Sequence, residues 1–185
     1  MYTLRLTRRL LADVAPGGAD GTDQPPTTAL GDWYVAPMLA QKRELLLCSS
    51  ERSLLSVVLS AEDLADLPEH LAVALVGVLH RLGVPRAAVA REIDAMTSGD
   101  VGAARNRSTL GSMRGLAARA RQFLAASPGG VDVAGLYTHL GEYRSRATGP
   151  HTAAARPATP SRYGRHRDDA CAERDRVPAP LRDSG

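Results

Sequence analysis

Residues 44–59 read Glu44-Leu45-Leu46-Leu47-Cys48-Ser49-Ser50-Glu51-Arg52-Ser53-Leu54-Leu55-Ser56-Val57-Val58-Leu59. Two compact aliphatic runs, Glu44 to Cys48 and Leu54 to Leu59, flank a polar connector of hairpin length, which predicts an antiparallel pair of strands. Two strands alone are marginal in water, so a third is required. Tyr2, Leu4 and Leu6 alternate with Thr3 and Arg5 and supply it, with Thr7 placed to cap a short helical turn through Leu11. Downstream the hydrophobic period changes. Ser60 with Asp63 resembles a capping box, Pro68 suits a first helical turn, and Leu67, Leu71, Leu75, Val78 and Leu82 recur at helical spacing up to Gly83. Pro85 opens a second helix to about Met96, with Val89, Ile93 and Met96 on one side, and Thr97 to Gly102 reads as a breaker. The expected class is α+β: a small, mainly antiparallel sheet packed against several helices.

The remaining segments set the domain limits. Leu30 to Met38 is ambiguous, because Asp32 suits a helix cap while Pro37 would remove an early helical hydrogen bond. Residues 15–28 hold three glycines and three prolines with little to bury, the composition of a mobile surface loop. Leu110, Met113, Ala117, Ala120 and Leu124 form one stripe of a further helix, and Val133, Leu136, Tyr137 and Leu140 support another. Residues 149–185 are proline-rich with few large apolar side chains, so a single domain is expected over 1–148 and a disordered tail after it.

One Trp33 and one Phe123 leave core burial to aliphatic side chains and leave few rings for base stacking. Lys42 is the sole lysine beside twenty-two arginines, and the net charge of +3 is small, so charge has to be read locally. Two cysteines, Cys48 and Cys171, make no disulfide framework, and the basic N-terminus lacks an uninterrupted apolar run. The longest apolar uncharged run, Leu71 to Leu79, has nine residues where a bilayer crossing needs about 20. A cytoplasmic protein without membrane partners is expected.

Catalytic patterns are weak. Cys48 and Arg52 are separated by three residues, too few for a cysteine phosphatase loop, and Cys48 reads as a buried structural thiol. His70, His80, His139, His151 and His166 form no close-spaced ligand pair, and His70 and His80 suit solvent-facing positions of one helix. Asp32, Glu44 and Glu51 lack the lysine that would complete a metal-dependent nuclease pattern, and no glycine-rich phosphate loop occurs. No metal and no cofactor are expected.

The strongest functional lead is residues 101–131, with five arginines and no acidic side chain. One reading makes this a noncatalytic binding module for an acidic protein or a nucleic-acid backbone. In it Ser108 or Ser112 caps a helix whose free amides, with Arg105, Asn106 and Arg107, hold an anion, and Arg114 and Arg121, seven residues apart, extend the track while Arg119 points away. The bland reading has Asn106 and Ser108 tying a loop to backbone and the arginines solvated. A rival makes the protein an enzyme in which Asp32, Glu51, Asn106 and Ser108 meet near the end of the sheet. A third uses the stripe of residues 110–124 as a homo-oligomer interface.

Leu30-Gly31-Asp32-Trp33-Tyr34, the runs Arg43 to Leu47 and Glu51 to Leu55, and above all Asn106-Arg107-Ser108-Thr109-Leu110-Gly111-Ser112-Met113 resemble an uncharacterised bacterial family known only as a domain of unknown function. The resemblance spans roughly residues 1–126. In that family the serine and methionine are followed by asparagine and aspartate, where this chain has Arg114 and Gly115, so a site built on that polar pair would be altered here. The resemblance implies no activity, cofactor or catalytic residue.

Overall fold

The computed structural model describes residues 1–21, 24–126, 135–137 and 139–140. The chain runs through β1 (Tyr2–Leu6), α1 (Arg8–Val14), β2 (Trp33–Ala40), β3 (Arg43–Ser50), β4 (Ser56–Ser60), a single 3-10 turn (Ala61–Leu64), α2 (Leu67–Arg81), α3 (Arg86–Ala95), β5 (Gly99–Ala103) and α4 (Arg107–Ala126). The strands form one sheet in the order β4-β3-β2-β1-β5. Its class is α+β as the sequence implies, and its sheet is mixed: β2, β3 and β4 are antiparallel neighbours, while β1 runs parallel to both β2 and β5.

The parallel half is what the sequence conceals. β5 occupies residues read as a breaker, because its glycines answer to close neighbours instead of to a turn. A Cβ on Gly99 would sit 2.8 Å from the Tyr2 ring, and one on Gly102 would sit 2.9 Å from the Gly21 Cα. β2 fills the segment that Pro37 made ambiguous. The Val35 carbonyl accepts from Thr7 N–H on the β1 side, so the nitrogen of Pro37, two residues on, faces the same side. β1 pairs with β2 only as far as Val35, and no ladder bond is lost there. β2 and β3 join through Gln41 and Lys42, with φ of 49° and 62°, a two-residue turn of the mirror-image kind without the glycine or asparagine that would announce it.

Alternation then sorts side chains to two faces. Leu4, Leu6, Trp33, Val35, Leu46, Cys48 and Val57 pack under α1, α2 and α3, which contribute Leu10, Leu71, Leu75, Val78 and Val89. Leu82 is exposed at 41% and Leu79 takes the last buried place on α2. The opposite face carries Tyr34, Met38, Ala40 and Leu47 against Met113, Leu116, Ala120 and Leu124 of α4, joined by Leu136 and Leu140 from the described part of the final helical segment. Each such buried side chain contributes roughly 1.5–3 kcal/mol. The stripe proposed as an oligomer interface is thus the side of α4 that holds it to its own sheet.

The loop before β2 is tied down at its end. The buried Glu92 carboxylate accepts from the amides of Ala29 (2.7 Å) and Leu30 (3.0 Å), and Arg52 donates to the Thr28 carbonyl at 3.0 Å. The capping box at Ser60 and Asp63 forms as read, while His70, its side chain still 42% exposed, meets Asp63 at 2.7 Å. Cys48 is buried and its thiol pKa is pushed up by burial. Cys171, His151, His166 and the tail from residue 149 lie outside the described residues.

Candidate functional site

Helix α4 lies along β2, fastened at both ends. At its start the Asn106 amide donates to the Tyr34 hydroxyl at 3.3 Å, and at its end Gln41 donates to the Leu124 carbonyl. The lengths agree: seven strand residues rise about 23 Å and eighteen helical residues about 27 Å.

Asn106 caps the helix. Its carbonyl accepts the first helical bond from Leu110, and its side-chain oxygen accepts from the amides of Ser108 (3.0 Å) and Thr109 (3.2 Å). This corrects the expectation that Ser108 or Ser112 caps and that free amides hold an anion, because asparagine reaches both donors first. Ser108 is exposed and Ser112 half-buried.

The rest of Asn106 joins a polar network at this end of the sheet. Its side-chain N–H donates to Glu51 Oε1 at 3.2 Å, and the Tyr34 hydroxyl donates to the same oxygen at 3.4 Å. Glu51 N–H donates to the Asp32 carbonyl at 2.8 Å, and the Asp32 carboxylate accepts from Thr3 N–H (2.9 Å) and Arg5 Nε (3.0 Å). Both members of the Arg5–Asp32 pair are nearly enclosed. Burial first, then the negative charge of Glu51, raises the Tyr34 pKa. Asp32, Glu51 and Asn106 are therefore brought together as the sequence allowed, with Ser108 outside on the helix surface. Chemically the network joins β1, β2, β3 and α4: the Asp32 oxygens and Glu51 Oε1 are all engaged by neighbours.

Arg5 and Tyr34 were missed by sequence reasoning. Reading residues 33–40 as a strand would have placed Tyr34 opposite Trp33 and Val35, on the face that Thr3 and Arg5 share. Glu44 lies at the far end of β3 from Glu51, about 23 Å of strand away, which separates the three carboxylates considered for a metal. Among the described residues no group of three or more histidine, cysteine or acidic side chains could hold a metal ion.

The arginines divide. Arg105 turns to Asp20, at 3.4 Å from its carbonyl and 3.7 Å from its carboxylate. Arg119, which its spacing turns away from the line of Arg114 and Arg121, is half-buried. Arg107, Arg114 and Arg121 are exposed, spaced by sevens, and so nearly eclipsed on the outer side of α4. Gly111 and Ala118 between them and Ala125 beyond them are exposed and small, and the helix contains no acidic residue.

A family model for a domain of unknown function, DUF6933, matches residues 3–143. The chain belongs to DUF6933. The match takes in β1 from Thr3, the other four strands, the cap at Asn106 and the described residues after α4, so the DUF6933 domain extends beyond the roughly 126 residues of the motif resemblance. No curated protein and no solved structure matches the chain. Among the described residues of this DUF6933 chain, no helix is long and apolar enough to cross a membrane.

Proposed function

We propose that the outer face of α4 is a noncatalytic binding surface for a nucleic-acid duplex backbone. The observation that carries this is the line of Arg107, Arg114 and Arg121, exposed at about 10.5 Å intervals along an acid-free helix. None of the three is in an ion pair among the described residues. The helix is locked to the sheet by its apolar side, so its cations are held in one row without ordering a loop on binding.

Small residues between the arginines let a phosphate backbone approach the helix closely. No exposed aromatic interleaves the arginines, and Phe123 is half-buried beside His139, so base stacking on single strands is not supported. Backbone contacts fix position and carry no sequence information, so binding is expected to be strong at low salt and indifferent to sequence. Asn106 caps the helix in this reading, Arg105 turns to Asp20, and Ser108 is exposed next to Arg107, where it can add a hydrogen bond to phosphate.

The test is fluorescence anisotropy of a labelled 20-base-pair duplex against the full chain and against Arg107→Ala combined with Arg121→Ala. Weaker binding by the double variant supports the surface. Unchanged affinity removes these residues from it, and no binding by the natural chain at low salt discards nucleic acid and favours an acidic protein partner.

A further inference from the structure

We infer that Lys42 and Arg43, in the turn and first residue of β3, extend the same backbone-binding surface past the end of α4; this rests on the reading of α4 as a duplex-binding face. The two segments are far apart in sequence and adjacent in space, because Gln41 donates to the Leu124 carbonyl in the last turn of the helix. The row Arg107, Arg114, Arg121 runs along β2 toward that turn, and Lys42 stands at its tip.

Exposure, the side of the sheet and the backbone of the turn support this. Lys42 and Arg43 are exposed, and neither is in an ion pair among the described residues. Arg43 precedes Leu45 and Leu47, which face α4, by the strand period of two, so it shares their side of the sheet, whereas Glu44 faces the other side and meets Arg9 at 3.8 Å. Gln41 and Lys42 both hold positive φ, a conformation disfavoured for residues with a Cβ by roughly 1–2 kcal/mol each. Glycine would relieve that strain. Here the turn carries a tether to the helix and the chain's sole lysine. From Arg107 to the tip the surface spans about 30 Å, or about nine base pairs of duplex at 3.4 Å each.

The experiment measures the dependence of log K on log salt for a labelled 20-base-pair duplex, using the full chain, Lys42→Gln with Arg43→Gln, and Arg8→Gln with Arg86→Gln. The last pair removes equal charge from exposed positions of α1 and α3 on the opposite side. The slope is expected to fall in magnitude by about 1.8 for the turn variant, about 0.9 for each phosphate no longer neutralised, and to change little for the control. If the turn variant misfolds, Arg43→Gln alone, outside the strained pair, is expected to lower it by about 0.9. A turn variant with the slope of the natural chain overturns the inference while leaving the helix surface standing. An equal fall in the control shows a net-charge effect and also overturns it. No duplex binding by the natural chain overturns both readings.

Discussion

Asn106 and Glu51, fifty-five residues apart, meet at 3.2 Å, and the same asparagine closes the first turn of α4 through the amides of Ser108 and Thr109. One side chain therefore sets where the helix starts and joins it to the end of β3. Asn106→Ala removes the cap and a donor to Glu51 and is expected to destabilise the fold by about 1–2 kcal/mol. Asn106→Asp retains the capping oxygens but sets a carboxylate beside that of Glu51, so its destabilisation should shrink as pH is lowered through the carboxylate range. Urea denaturation of both variants at two pH values checks this; an Asn106→Ala midpoint equal to the natural one contradicts it.

Asp32 holds Arg5 at 3.0 Å in a nearly enclosed position while accepting from Thr3 N–H. Asp32→Ala leaves a guanidinium without its carboxylate and a buried amide without its acceptor. The expected loss is about 3–5 kcal/mol, or roughly 6–20 °C of Tm at about 2–4 °C per kcal/mol. A calorimetric scan reads it directly, and a loss below about 1 kcal/mol would show that the pair is not structural.

Burial raises the pKa of Cys48, and burial with a smaller effect of Cys48 raises that of Tyr2 to about 12. In both residues the fold favours the neutral form, so their contribution is complete below the ordinary values of about 8.5 and 10 and is lost as pH rises toward the folded ones. The denaturation midpoint is expected to be lower at pH 11 than at pH 8. In a Cys171→Ser chain, Cys48 should resist a thiol reagent at pH 8 and react only in denaturant. Rapid reaction in the native state would contradict its burial.

Local signals made half of the fold legible. The aliphatic runs within residues 44–59 announced the β3–β4 pairing, and the spacing of Leu67, Leu71, Leu75, Val78 and Leu82 announced α2, because both patterns follow from the period of the element. The structure buries Leu79 in place of Leu82. β2, β5 and the turn between β2 and β3 were hidden by tertiary causes: the side of the strand that Pro37 faces, the Tyr2 ring packed on Gly99, and the helix end that secures Gln41.

The candidate site divides in the same way. The heptad spacing of Arg114 and Arg121 shows in the sequence, and Arg107 falls on the same line. The cap is harder to read, since asparagine and serine are equally good caps and only the contact with Glu51 distinguishes Asn106 from Ser108. Lys42 and Arg43 carry no sequence signal linking them to α4, because the link is tertiary: the Gln41 hydrogen bond spans eighty-three residues and the packing of Ala40 and Leu45 against the helix is equally remote in sequence.

The most direct test of the duplex-binding surface is the salt dependence of duplex affinity for the natural chain and for Arg107→Gln, Arg114→Gln, Arg121→Gln combined. The three substituted positions are exposed, so the fold should survive, as far-UV circular dichroism would confirm. The expected result is tight, sequence-independent binding at low salt by the natural chain, with the slope of log K against log salt reduced in magnitude by about 2.7 in the triple variant. Equal slopes and affinities for the two proteins would contradict the assignment.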